Sequence, residues 1–207
     1  MKSFSSLMGK QTLLPIIQAD TVEQGLNIGK AMADAGIALV EVVLRTEASI
    51  DIIKALKEEL PDLIVGAGTV IDAEILKKAL DAGSDFIITP TISSQLLTQL
   101  SHCKVPVLPG VSNAADILLA REFGYKEVKL FPAELSGGAP FLKAMSSIFK
   151  GISFCPTGGI NEKNQQAYLS LSNVFAVGGT WVAKSEWVAQ EQWSEITAAC
   201  RASRSIS

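Results

Sequence analysis

Histidine is almost missing from this chain of 207 residues: there is one, His102, in a polar stretch. A histidine-based zinc site or a Ser-His-Asp triad is therefore hard to build. No basic run interleaves with the aromatics, which make up only 6% of residues, so the usual nucleic-acid surface is excluded. Neither sign of charge dominates: 18 Lys and Arg against 21 Asp and Glu leave −3. The apolar runs stop at strand length, too short to span a membrane. Residues 1–20 lack the apolar core and small-residue cleavage site of a secretory leader. Three cysteines, Cys103, Cys155 and Cys200, follow no metal-ligand or disulfide spacing, which predicts a reducing cytoplasm. With no linker or low-complexity segment, 1–207 reads as one domain.

What the chain does contain is one unit repeated. A capped amphipathic helix ends at glycine, and a short β-rich run follows. Gly36 precedes Leu39–Leu44, Gly83 precedes Phe86–Ile88, and Gly124 precedes Val128–Phe131. Glycine supplies the left-handed position that stops each helix. Thr21, Thr46, Asp72, Ser112 and Asn161 are the predicted N-caps. Strands are expected near 13–18, 38–44, 63–69, 85–89, 105–108, 126–131, 153–156 and 174–178. Eight strands alternating with helices predict an α/β fold, a (β/α)8 TIM barrel. The competing doubly wound sheet should show a glycine-rich turn after the first strand, where Gln18-Ala19-Asp20-Thr21 stands instead. Residues 1–10 are expected to form an extra N-terminal helix plugging the barrel bottom, and 187–204 a closing helix.

Barrel enzymes carry their chemistry at the C-terminal ends of the strands. Here those ends present Glu41, Arg45, Thr69, Thr89-Pro90, Pro109-Gly110, Lys129, Thr157-Gly158-Gly159 and Gly178-Gly179-Thr180. Lys129 stands out, a charge inside the apolar run Val128–Phe131. Burying an ammonium without a partner costs several kcal/mol, on the order that amine desolvation implies. An amine in such a place can work as a nucleophile toward a carbonyl. Glu41, Val43 and Arg45 share one face of their strand; Glu127, Lys129 and Phe131 share one face of theirs. If both faces point inward, Glu41 and Lys129 meet, either as a structural ion pair or as a catalytic one. Arg45 suits a substrate carboxylate through its forked donors, with Thr69 adding a hydroxyl. Gly66 and Gly68, beside Thr69, either admit a ligand or relieve crowding. The pairs Gly158-Gly159 and Gly178-Gly179 follow the last two strands and open toward helices, a usual phosphate site in barrels.

Five segments carry a family resemblance. Val40–Thr46, Gly66–Val70, Val128–Glu134, Cys155–Ile160 and Gly178–Trp181 resemble, in order and spacing, the bacterial KDPG/KHG aldolases. These act on 2-keto-3-deoxy-6-phosphogluconate (KDPG) and 4-hydroxy-2-oxoglutarate (KHG). The resemblance implies a homotrimeric barrel that needs no metal or other cofactor and takes a small phosphorylated keto acid. It makes Lys129 the Schiff-base lysine and Glu41 the general acid/base, with Arg45 and Thr69 on the pyruvyl carboxylate. Thr157, Gly158, Gly159, Gly179 and Thr180 match the far end of the pocket, the phosphate falling on Gly158 and Gly159. Pro90 and Phe131 belong to the same binding set. Thr180 stands where many members carry serine. Thr91 stands where glycine is common, so an extra side chain is expected to narrow the pocket there. Two alternatives stay open: the C4 epimer, 2-keto-3-deoxy-6-phosphogalactonate, as substrate, and a barrel that only binds or isomerises a phosphorylated metabolite.

Overall fold

The computed structural model describes residues 3–204. Met1 and Lys2, part of the expected N-terminal helix, lie outside the described residues. Helix α1 (Phe4–Met8) precedes β1 (Leu13–Ile17), α2 (Val22–Asp34), β2 (Leu39–Val43) and α3 (Ser49–Glu59). Next come β3 (Ile64–Gly68), α4 (Ala73–Asp81), β4 (Ile87–Ile88), α5 (Ser94–Leu100), β5 (Val107–Leu108), β6 (Gly110–Val111) and α6 (Ala114–Glu122). The remaining elements are β7 (Glu127–Leu130), α7 (Gly138–Ile148), β8 (Ser153–Phe154) and α8 (Gln165–Leu169), then β9 (Val177–Gly179), α9 (Ser185–Ala189) and α10 (Trp193–Arg204).

All pairings are parallel, and they close a ring. One sheet runs β5-β4-β3-β2-β1-β9 and the other β6-β7-β8. β5 and β6 are two halves of one strand divided at Pro109; the first half pairs with β4, the second with β7. Proline has no N–H for a ladder, which explains the break. On the far side, bridges from Phe154 to Val174 and from Thr157 to Gly178 join β8 to β9. The circuit has eight strand positions, a (β/α)8 barrel.

Side chains alternate across this wall, as strand geometry requires. Val40, Val42, Val65, Ala67, Val128 and Leu130 face outward into a core shared with the surrounding helices. Leu14, Leu39, Phe86, Ile88, Leu108 and Cys155 face inward and pack with Phe4 and Met8 of α1. The expected plug is therefore in place. The Phe4 ring meets Phe86 edge-on at 5.1 Å. Glu127, inward-facing at the bottom of β7, accepts from the Phe4 N–H at 2.5 Å and the Ser5 N–H at 3.2 Å, capping the plug helix.

Thr21 and Asp72 cap α2 and α4 through their side chains, as predicted. Gly36, Gly83 and Gly124 adopt φ of 77°, 84° and 86°, the left-handed turn expected of them. Three caps differ. The Thr46 hydroxyl donates to the Ala19 carbonyl at 2.8 Å, joining two top loops, and α3 starts later. Asn113 rather than Ser112 caps α6, its carboxamide oxygen accepting two backbone N–H groups. Asn161 accepts from the Lys163 N–H, in a turn ahead of α8. The expected closing helix 187–204 is two helices, interrupted at Glu191 with φ 53°.

Candidate active site

Glu41 from β2 and Lys129 from β7 meet inside the barrel. Lys129 Nζ lies 3.0 Å from Glu41 Oε1 and 3.4 Å from Oε2. Their side chains are 5% and 0% exposed. An ion pair so enclosed adds little net stability, while removing one partner strands a buried charge. The local sequence makes the room. A Cβ on Gly68 would lie 2.0 Å from Glu41 Oε1, and one on Gly66 2.0 Å from the Phe86 ring. Both glycines therefore relieve crowding, the second of the two readings open in the sequence. Gly110, the register partner of Lys129, has no space either: a Cβ would sit 2.4 Å from the Thr89 carbonyl oxygen.

Cys155 faces the same interior from the strand beside β7. Burial pushes its thiol up to about 12, with Glu41 adding to the rise and Lys129 opposing it. The sulfur is thus neutral and leaves the pair's electrostatics to the two charges. The Phe131 ring centroid lies 5.3 Å from the Lys129 nitrogen, within cation–π range.

Above the pair opens a cavity of about 150 Å³. Among the predicted residues, Arg45, Lys129, Phe131, Thr157, Gly158, Gly159, Gly179 and Thr180 line it, and Glu41 reaches it through Lys129. Thr69 and Pro90 are half-buried at neighbouring strand ends and are not part of its wall. Thr69 sits at φ 65°, a strained setting for a β-branched residue. Thr91, expected to narrow the pocket, is exposed and also outside the wall. Ile16, Gln18, Val43 and Ile160 complete the lining without having been sequence candidates. Parity marks the first and third: Ile16 pairs in register with Glu41, and Val43 follows it by two. A larger hollow of about 620 Å³ continues past Gln18 and Thr180. The smaller space is the one that holds the amine and the guanidinium.

The two ends of the cavity differ in kind. At one end the Arg45 side chain is exposed and makes no hydrogen bond or ion pair to any described residue. At the other, Gly158 and Gly159 hold φ of 99° and 82°. The backbone N–H groups of Gly158, Gly159 and Ile160 donate to no group among the described residues. Thr157 Oγ1 is buried without a hydrogen-bond partner of good geometry, beside only the weak Cys155 thiol. The helix starts invoked from sequence are more distant than expected. α8 begins at Gln165 and α9 at Ser185, each six residues past the nearer glycine pair. The donors at hand are the turn amides themselves, a concave arrangement suited to an anion. Among the described residues, no three His, Cys, Asp or Glu side chains cluster as a metal site would.

A closed parallel barrel with a buried amine, a carboxylate against it and anion donors at both ends defines a class: barrels equipped for imine chemistry on small acids. The chain belongs to the KDPG and KHG aldolase family, whose sequence profile matches residues 4–199. It is 35% identical to the KHG/KDPG aldolase of Escherichia coli over 199 residues, covering 96% of this chain and 93% of that one. It is 41% identical to the 2-dehydro-3-deoxy-phosphogluconate aldolase of Pseudomonas aeruginosa over 191 residues, covering 92% and 87%. The crystal structure of KDPG aldolase from Legionella pneumophila, with pyruvate captured as a covalent carbinolamine, superimposes with a TM-score of 0.93 at 37% identity, covering 96% of each chain.

Proposed function

We propose that this protein is a class I aldolase cleaving KDPG to pyruvate and glyceraldehyde 3-phosphate, and KHG to pyruvate and glyoxylate. The observation that carries the reading is the 3.0 Å approach of the buried Lys129 to the buried Glu41 at the base of the cavity. Lys129 passes its proton to Glu41 and its nitrogen adds to the C2 ketone. The carbinolamine loses water, with Glu41 supplying the proton, and leaves a protonated imine. Glu41, now a carboxylate, takes the proton of the C4 hydroxyl. The C3–C4 bond breaks, its electron pair moving into the iminium to give an enamine, and the aldehyde departs. Protonation at C3 and hydrolysis release pyruvate and restore Lys129.

The other residues fix geometry. Arg45, with Thr69 at the adjacent strand end, holds the pyruvyl carboxylate so that C2 faces the amine. Phe131 bounds the acceptor side, while Pro90 stands at a neighbouring strand end outside the cavity wall. Thr157, Gly158, Gly159, Gly179 and Thr180 receive the distal end, where the unpaired amides meet the phosphate. We further propose that the whole chain, 1–207, works as one barrel domain in the cytoplasm, in keeping with three buried free cysteines. We take it to assemble as a homotrimer: Leu135 and Ile148 stand 88% and 61% exposed, apolar surface that self-association would cover. Sedimentation at the mass of one chain would contradict the trimer.

Release of pyruvate from KDPG, its galactonate epimer and KHG tests the substrate assignment. Preference for KDPG is expected. A preference for the epimer moves the protein to the sister activity, and no pyruvate from any of the three removes the reading.

A further inference from the structure

Two loops frame the distal end of the cavity, and they are bound to each other. Beyond β7 the N–H groups of Ala133 and Glu134 donate to the carbonyls of Thr157 and Gly158 at 2.7 and 3.1 Å. The Glu134 side chain then lies against Gly159: a Cβ there would sit 2.5 Å from Glu134 Cγ and 2.8 Å from its Cβ. The Glu134 carboxylate accepts a short hydrogen bond from the Tyr168 hydroxyl. Tyr168 is rooted in α8 and buried in the outer core. Burial first, and then the Glu134 carboxylate, raise the phenol above its ordinary pKa, so it remains a donor.

These contacts bear on the three unpaired amides of Gly158, Gly159 and Ile160. Where those N–H groups point depends on where the turn sits, and two consecutive glycines give the turn little stiffness of its own. Its outer side is supported by Glu134, and Glu134 is supported by Tyr168. The same hydrogen bond controls a charge. A carboxylate beside an anion site repels the anion unless it is held aside, and the phenol supplies that hold.

We propose that Glu134 and Tyr168 are a positioning pair that presents the Gly158–Ile160 amides to the substrate phosphate. Neither touches a reacting atom. The inference rests on the aldolase reading and deepens its phosphate end. Its effect falls on phosphorylated substrate alone, because the pyruvyl end is fixed by Lys129 inside the barrel, on the β7 strand itself, and by Glu41 and Arg45 of the β2 strand and its end.

The test uses the full chain with Tyr168→Phe, Glu134→Ala and Glu134→Gln, measuring kcat and KM for KDPG and for KHG. Borohydride trapping of pyruvate serves as the check that the catalytic end is intact. Tyr168→Phe and Glu134→Ala should raise KM for KDPG about tenfold, while KM for KHG and both kcat values stay within about twofold. Glu134→Gln keeps an acceptor for the phenol and should stay near wild type. The inference is overturned if both substrates lose activity in the same proportion, as in general loosening, or if KM for KDPG does not move. Tyr168→Phe removes a single oxygen and keeps the ring in the core, so a Glu134→Ala chain that misfolds still leaves a decisive variant. Wild-type protein that fails to trap pyruvate removes the aldolase reading, and the inference with it.

Discussion

Lys129 and Glu41 carry opposite charges into a space that water scarcely reaches, and each is tolerable there because of the other. Glu41→Leu should therefore destabilise the fold by about 3–5 kcal/mol, the usual penalty for leaving a buried charge alone. Lys129→Met combined with Glu41→Leu should recover most of that loss while remaining inactive, since two apolar groups replace a pair of little net worth. Urea unfolding of the single and double variants measures this. A double variant as unstable as the sum of the singles would mean that the charges do not compensate each other. At this scale the sequence was informative where a residue contradicted its surroundings. Lys129 in an apolar run announced itself. Gly66 and Gly68 did not resolve, because a missing side chain fits both readings until the neighbour that fills the gap is known. Phe86 and Glu41 fill it. The strained φ of Thr69 left no trace in the sequence at all.

Among the elements, strand parity and helix caps explain most of what was legible. Alternation grouped Glu41 with Val43 and Arg45 and Lys129 with Glu127 and Phe131 on single strand faces, and glycine at the end of a helix marked where three of the strands would begin. Prolines obscured the rest. The strand expected at 105–108 ends before Pro109 and holds only β5, so its continuation beyond the proline as β6 was not foreseen, and loops rich in Pro and Gly shorten other strands to as few as two residues. The gap between the glycine pairs and α8 or α9 was unreadable, since a polar turn and a helix start share the same residues. The plug helix was foreseen, and its work is separable from the chemistry. Phe4 fills the barrel bottom against Phe86, while the cavity opens at the top. Phe4→Ala should cost about 3–5 kcal/mol of stability, as buried aromatic truncation does. Turnover of the folded fraction at 25 °C should stay within about twofold. A large drop in kcat at unchanged helical signal would show that the plug shapes the site.

At the scale of the molecule, ring closure is what brings an acid and an amine 88 residues apart into contact. No window of sequence contains both; their meeting was conditional on both strand faces pointing inward, and the closed ring meets that condition. The same closure sets the order of groups around the mouth, with the guanidinium of Arg45 toward one side and the free amides of 158–160 toward the other. A keto acid held between them must offer its ketone to the one amine in the cavity wall. Reduction with borohydride in the presence of pyruvate, followed by peptide mapping, addresses this directly. A reduced pyruvyl adduct on Lys129, and its disappearance in Lys129→Ala, is the expected result. An adduct on a different lysine, or none in active protein, would contradict imine formation at this site.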